Sequence, residues 1–188
     1  MTSPLPPLAR RRDARLREVP VDREAFARAV DQLVDDIATA RSQPARLLAM
    51  LGDAAPLLLA AGRIEDARKT ASAAIALAEL LEDKQAAFAS RIALAKAMQR
   101  EGRFEIATAL YEQLIAQARS SPSCKDTLHA ILFEAGTNLL DQERPAEAAR
   151  CFRESQALRR QLGLETLLEE AAEALRVTSE AAGRDTRR

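Results

Sequence analysis

A six-residue pattern recurs along the chain at nearly constant spacing. It reads GRIEDA at Gly62–Ala67, returns as GRFEIA at Gly102–Ala107, and has a degraded third copy, ERPAEA, at Glu143–Ala148. A turn that opens an alanine-bearing helix at a fixed spacing of about 40 residues is typical of stacked helical hairpins. The repeat therefore predicts an array of antiparallel helix pairs.

The composition favours the same fold class. Apolar residues make up 47% of the chain, but only 3% are aromatic and Trp is absent, so the core must consist mainly of Ala and Leu. Both residues lose little side-chain freedom in a helix. With no alternating strand pattern in the chain, we predict an all-α fold, a stack of antiparallel helix hairpins.

Proline, glycine and the apolar period of three to four residues predict where each element begins and ends. Four prolines and five arginines fall within residues 1–20, which predicts a flexible arm, because proline blocks helix propagation and arginines repel one another. The predicted divisions are the Pro/Arg-rich arm 1–20, an N-terminal helix 22–41, hairpins 44–81, 84–119 and 124–162, a capping helix 164–182 and a basic tail 183–188.

Large and small residues recur within these hairpins at the spacings of the tetratricopeptide repeat (TPR), and the chain resembles that family over roughly residues 44–162. The small residue of the first helix is Ala55, Ala95 and Gly136 in successive units; the alanine of the second helix is Ala67, Ala107 and Ala148; the late aromatic position holds Ala71, Tyr111 and Phe152. Small residues in both helices allow close backbone approach.

The chain departs from the family pattern in two ways. Its repeats are longer, since the usual TPR period is about 34 residues and the pattern here recurs after about 40 and then about 41 residues. The early Trp of the family is replaced by Leu51, Arg91 and Leu132. The chain is therefore similar to the longer-helix variety found in kinesin light chains and in many bacterial regulators and adaptors. The resemblance is specific for the fold and says little about the function.

The resemblance also implies that the helix hairpins form a right-handed superhelical stack, with a concave groove that receives a peptide segment of a partner protein. Lys96 and Arg100 could hold a peptide carboxylate as some members of the family do, or they could be solvated charges paired with Glu101 or Glu134. The groove-facing positions implied by the family are Asp53, Pro56, Ile92, Lys96, Gln99, Arg100, Phe133, Glu134, Thr137 and Asp141.

The charge distribution does not favour nucleic acid as a partner. The formal net charge is zero. The arm 1–20 carries +3, whereas the body from 21 to 182 carries −5 and offers no broad basic face. The arm could tether an acidic partner or RNA or DNA, or it could be a solvated leader without aromatic residues to stack on bases.

No catalytic or metal-binding constellation is apparent, and we predict a protein that is not an enzyme and needs no cofactor or metal. The only histidine, His129, lies five residues from Cys124, which places the two side chains on different faces of a helix. Cys151 is interpreted as a small core residue. The absence of a long apolar run predicts no membrane span, and we expect a cytoplasmic location.

These observations lead to one principal functional hypothesis and one alternative. The principal hypothesis is a non-catalytic protein–protein interaction module (an adaptor, chaperone or regulatory subunit) that binds a partner's peptide segment in the groove. The alternative is a peptide-sensing subunit of a signalling or transcriptional system that acts with a separate effector. The apolar residues of the last helix also allow a homodimer through an end helix, or a simple capping role.

Overall fold

The computed structural model describes residues 8–185, apart from the side chains of Ser123, Arg184 and Asp185. Within that range eight α-helices follow one another, preceded by a short β-hairpin. The chain divides into two compact units, Met1–Glu101 and Gly102–Arg188. The predicted all-α architecture is confirmed over the helical region, and the hairpin is an addition that the sequence analysis did not predict.

The first unit contains four helices that begin and end close to their predicted positions. Helix α2 packs against the helix before it and the helix after it, and it also contacts α4. A 3-10 turn, Ala40–Ser42, follows the first helix, so the α-helix predicted over 22–41 ends earlier. The bounds are α1 Arg23–Thr39, α2 Pro44–Ala60, α3 Ile64–Leu80 and α4 Lys84–Arg100.

Residues 10–20 form a β-hairpin within the segment 1–20 that the sequence predicts to be a flexible arm, of which residues 1–7 lie outside the described residues. Strands β1 (Arg10–Arg12) and β2 (Glu18–Pro20) are antiparallel, and Arg10 donates to the Glu18 carboxylate at 2.7 Å. In the turn, the Asp13 carboxylate accepts the backbone N–H groups of Arg15 and Arg17, each at 2.9 Å. Ion pairing with Glu18 offsets the arginine repulsion on which the prediction of an arm depended. Strand β2 also contacts α2.

Local capping explains where the helices of the first unit begin. One oxygen of the Asp22 carboxylate accepts the backbone N–H groups of Glu24 and Ala25 at 3.0 Å, and Asp83 accepts that of Ala86 at 2.9 Å. Such caps satisfy N–H groups that have no partner inside the helix. Pro44 occupies the first turn of α2, where its missing N–H costs little.

The second unit contains four further helices, each packed against the next along the chain. A 3-10 segment, Pro122–Thr127, precedes its second helix, so the helix predicted to begin at Cys124 begins at Leu128 instead. The bounds are α5 Phe104–Ser120, α6 Leu128–Asp141, α7 Pro145–Gln161 and α8 Glu165–Asp185.

The prediction that small residues lie at the helix contacts is confirmed. Ala67, Ala107 and Ala148 are completely buried, and Ala55 and Ala95 are at most 1% exposed. Gly136 is also buried, against the ring of Phe152. Helices can approach closely at these positions because no larger side chain separates them.

Candidate interaction surface

The predicted groove residues of the first unit lie on α2 and α4, two helices in contact with each other. On α2, Asp53 is exposed and Pro56 is half-buried. Pro56 stands inside the helix. These two positions are three residues apart and therefore lie on neighbouring parts of one helix face.

On α4, three predicted residues remain partly accessible. Ile92, Lys96 and Arg100 are half-buried and recur every four residues, so they form a stripe along one side of the helix. Gln99, by contrast, is only 5% exposed. Lys96 and Arg100 each already interact with other groups of the chain, so a partner must compete for them. The accessible part of the predicted surface on α4 is one apolar and two cationic side chains.

The predicted groove residues of the second unit lie on α6, and two of them are buried. Phe133 is 1% exposed and Thr137 is 3% exposed. The Phe133 ring packs on Phe152, with ring centroids 5.2 Å apart, and the Thr137 hydroxyl donates to the Glu134 carbonyl at 2.7 Å. Neither side chain is accessible to a peptide, which corrects the expectation for these positions and for Gln99 of the first unit.

The remaining predicted residues of α6 are acidic. Glu134 and Asp141 are half-buried on this helix. Burial raises the pKa of Tyr111 well above its usual value, and the negative charges of Glu134 and Asp141 raise it further. The charges of both carboxylates therefore act on Tyr111. The two residues lie seven positions, or about two helical turns, apart along α6.

A buried ionic cluster, which the sequence analysis did not predict, joins α6, α7 and α8. Arg159 is 2% exposed. Its guanidinium lies 2.9 Å from the Glu170 carboxylate, donates to the Leu167 carbonyl at 2.6 Å, and stands 4.6 Å from the centroid of the Phe133 ring. A buried cation needs such partners, because its desolvation is costly. The cluster therefore holds three helices together.

His129 belongs to the edge of this cluster. Arg159 Nε donates to His129 Nδ1 at 3.4 Å, and the Ser155 hydroxyl donates to the His129 carbonyl at 2.7 Å. Burial lowers the pKa of His129, and the charge of Arg159 lowers it further. Cys151 is half-buried and burial raises the pKa of its thiol, whereas a reactive cysteine has a lowered pKa.

Metal-binding and membrane-spanning features are missing from the described part of the chain. Among residues 8–185, no group of three or more His, Cys, Asp or Glu side chains is placed to hold a metal ion. Over the same range, none of the helices combines the length and the apolar character needed to span a membrane.

Comparisons with known proteins identify the fold. No family model and no curated protein matches the sequence. Two crystal structures of a kinesin light chain with nearly identical TPR-like repeats from Podosopora anserina, one of them a point variant, match with TM-scores of 0.57 and 0.58. In each case the identity is 19%, over 88% of this chain and 90% of that chain. The protein thus has the fold of TPR-like repeat proteins, an all-α solenoid.

Proposed function

We propose that this protein is a non-catalytic interaction module, an adaptor, chaperone or regulatory subunit, that binds a peptide segment of a partner protein. The observation that carries the proposal is the partly accessible stripe Ile92, Lys96 and Arg100 on α4, a helix that contacts α2, on which Asp53 and Pro56 are also accessible in part. TPR-like solenoids present such helix faces to extended or helical segments of other proteins.

The residue types of this surface indicate what kind of segment would fit. Lys96 and Arg100 offer two cationic groups one helical turn apart, and Ile92 offers apolar contact one turn before them on the same helix. We therefore expect a segment that carries an acidic group, either a side chain or a terminal carboxylate, beside an apolar residue. Gln99 is too buried to contact a bound segment directly.

A site-specific photocrosslinker tests the location of the surface. Asp53→p-benzoylphenylalanine places the crosslinker at the exposed edge of the surface, and Ser72→p-benzoylphenylalanine places it on exposed α3 as a matched control. The proposal predicts that the Asp53 variant captures one defined segment of a partner, with an acidic and an apolar residue, while the Ser72 variant does not. Equal capture at both positions would show that this surface has no special role.

Two further sequence-based hypotheses stay predictions. A peptide-sensing subunit would use the same surface and would need a separate effector protein. Homodimerisation through α8 would require its apolar residues to be accessible, and Leu168, Leu175 and Val177 are all half-buried. Light scattering of the purified chain separates a dimer from a monomer.

A further inference from the structure

Arg159 connects helix α8 to the helices before it. Its Nη1 lies 2.9 Å from the Glu170 carboxylate and donates to the Leu167 carbonyl at 2.6 Å, and both of these residues belong to α8. Helix α8 packs on α7, the helix that carries Arg159. Because Arg159 is only 2% exposed, its charge depends on partners within the protein for stabilisation. One nitrogen atom of a buried side chain therefore makes two polar contacts to α8.

The same guanidinium also contacts His129 on α6. Arg159 Nε donates to Nδ1 of the imidazole at 3.4 Å, which is a long hydrogen bond. Nδ1 accepts a hydrogen bond only while it carries no hydrogen, so this contact requires the neutral imidazole with its hydrogen on Nε2. His129 is half-buried, so solvent can supply a proton to it in the folded chain.

Protonation of His129 would change the contact from attractive to repulsive. Nδ1–H and Arg159 Nε–H would then be two donors 3.4 Å apart, on two groups of like charge. Repulsion between like charges is stronger in a partly buried site than in water. The guanidinium is planar and rigid, so Nε cannot move away from His129 without displacing Nη1. Both contacts to α8 depend on Nη1, and protonation would weaken them together.

The charges that act on His129 come from three neighbouring elements. Arg159 of α7 opposes protonation, whereas Glu170 of α8 and Asp126 of the 3-10 segment Pro122–Thr127 favour it. Glu170 already pairs with Arg159, which reduces the attraction that it offers to an imidazolium. Burial, and then the charge of Arg159, lower the pKa of His129 despite the two carboxylates. A state with a solvated imidazole therefore binds the proton more tightly than the packed state does.

We propose that His129 is a proton-sensitive latch for helix α8: the neutral imidazole keeps the Arg159 guanidinium where it binds α8, and the imidazolium displaces it. Acidification from about pH 7.5 to about pH 5.5 would then increase the fraction of chains in which α8 has separated from α7. Separation would expose Ala171 and Ala174 of α8, which are completely buried in the packed state. The latch involves α6, α7 and α8 alone and does not depend on the function proposed for the α2–α4 surface.

Hydrogen exchange of the full chain, measured by mass spectrometry at about pH 7.5 and about pH 5.5, tests the latch. Protection factors, which correct for the pH dependence of the intrinsic exchange rate, report how often a helix opens. We expect the protection of residues 167–178 in α8 to fall by at least about threefold at the lower pH, whereas that of α2 stays constant. Equal protection of α8 at the two pH values would overturn the proposal.

Two variants show whether His129 is the group that titrates. His129→Gln keeps a side chain that can accept from Arg159 but does not titrate, so the protection of α8 should no longer depend on pH. Glu169→Gln removes an exposed carboxylate of α8 next to Glu170 and should leave the pH dependence as it is in the unmodified chain. An equal loss of protection at low pH in the His129→Gln chain would contradict the assignment to His129.

NMR of the unmodified chain gives a second readout that needs no variant. His129 is the only histidine of the sequence, so its ring signal is identified directly. The backbone amide signals of α8 should shift with the same pH midpoint as the ring of His129, because one proton controls both. If His129→Gln fails to fold, this comparison decides: amide signals of α8 that do not follow the ring titration would contradict the proposal.

Discussion

Gly136 on α6 lies directly against the ring of Phe152 on α7. A Cβ atom added to Gly136 would stand 2.6 Å from Cε1 of Phe152, closer than such atoms pack. In the first repeat the corresponding pair is Ala55 and Ala71, both buried. The third repeat thus combines a smaller residue on one helix with a larger one on the other, which keeps the contact filled.

This relationship predicts the effect of Gly136→Ala. The added methyl group should overpack the contact and lower the free energy of unfolding by about 1–3 kcal/mol. The cost should be smaller in a Phe152→Leu background, because the shorter side chain leaves room. Urea unfolding of the unmodified chain, the two single variants and the double variant measures the coupling between the two residues. Additive effects on the free energy of unfolding would show that Gly136 and Phe152 do not compete for space. Gly52→Ala, which meets no atom within 4 Å, is the matched control.

The turns between helices predict a stabilising substitution. Glu143 has a φ of 59°, and the corresponding residues of the other repeats, Gly62 and Gly102, have φ values of 81° and 77°. Because glycine adopts positive φ without the steric cost that a side chain meets, Glu143→Gly should raise the free energy of unfolding by about 1 kcal/mol. Gly62→Ala should lower it by a similar amount. Chemical denaturation checks both signs.

The ion pair of Arg159 and Glu170 predicts a strong asymmetry between single and double substitution. Arg159→Leu removes the buried cation but leaves Glu170 partly buried, with its side chain 22% exposed and without this partner. We expect a loss of about 2–4 kcal/mol, somewhat less than for a fully buried pair. Arg159→Leu/Glu170→Leu should recover a large part of that loss. A double variant no more stable than the single one would contradict this account.

The half-buried His129 predicts how stability depends on pH. Burial, and then the charge of Arg159, lower the pKa of His129 below its usual value of 6.5, whereas Glu170 and Asp126 oppose this effect. The unfolded chain therefore binds the proton first as pH falls. The contribution of neutral His129 to the free energy of unfolding is fully present above pH 6.5. It is lost as the pH drops below that value through the folded-state pKa of His129. His129→Gln should flatten the dependence of the unfolding free energy between about pH 7.5 and about pH 5.5.

The helices and their contact residues could be predicted because each depends on local chemistry. Proline and glycine mark the turns, and the period of three to four residues marks the buried stripes. The same period would also have revealed Arg159, since Ala148, Phe152, Ser155 and Arg159 form one buried stripe on α7. A charged side chain is rarely buried without partners, and only the tertiary partners of Arg159 on α6 and α8 explain its burial.

Other features were not predicted for two reasons: in the β-hairpin local pairing outweighs the composition, and the remaining features depend on contacts distant in sequence. The β-hairpin is stabilised by the pairing of Arg10 with Glu18 and by the turn at Asp13, which overcome a composition rich in proline and arginine. The family pattern placed Phe133 and Thr137 at a groove, but Phe152 and Arg159 cover the Phe133 ring. The half-open cleft that α5, α6 and α7 line arises from three helices together and has no signal in any one of them.

The measurement that tests the central claim most directly is the affinity of the crosslinked partner segment for charge variants of α4. Lys96→Glu/Arg100→Glu reverses the two cations of the proposed surface, and Lys69→Glu/Lys84→Glu makes the same change of net charge at exposed positions outside it. We predict that the first variant binds the segment at least about tenfold more weakly while the second binds as the unmodified chain does. Equal affinity of all three folded proteins would contradict the assignment of this surface.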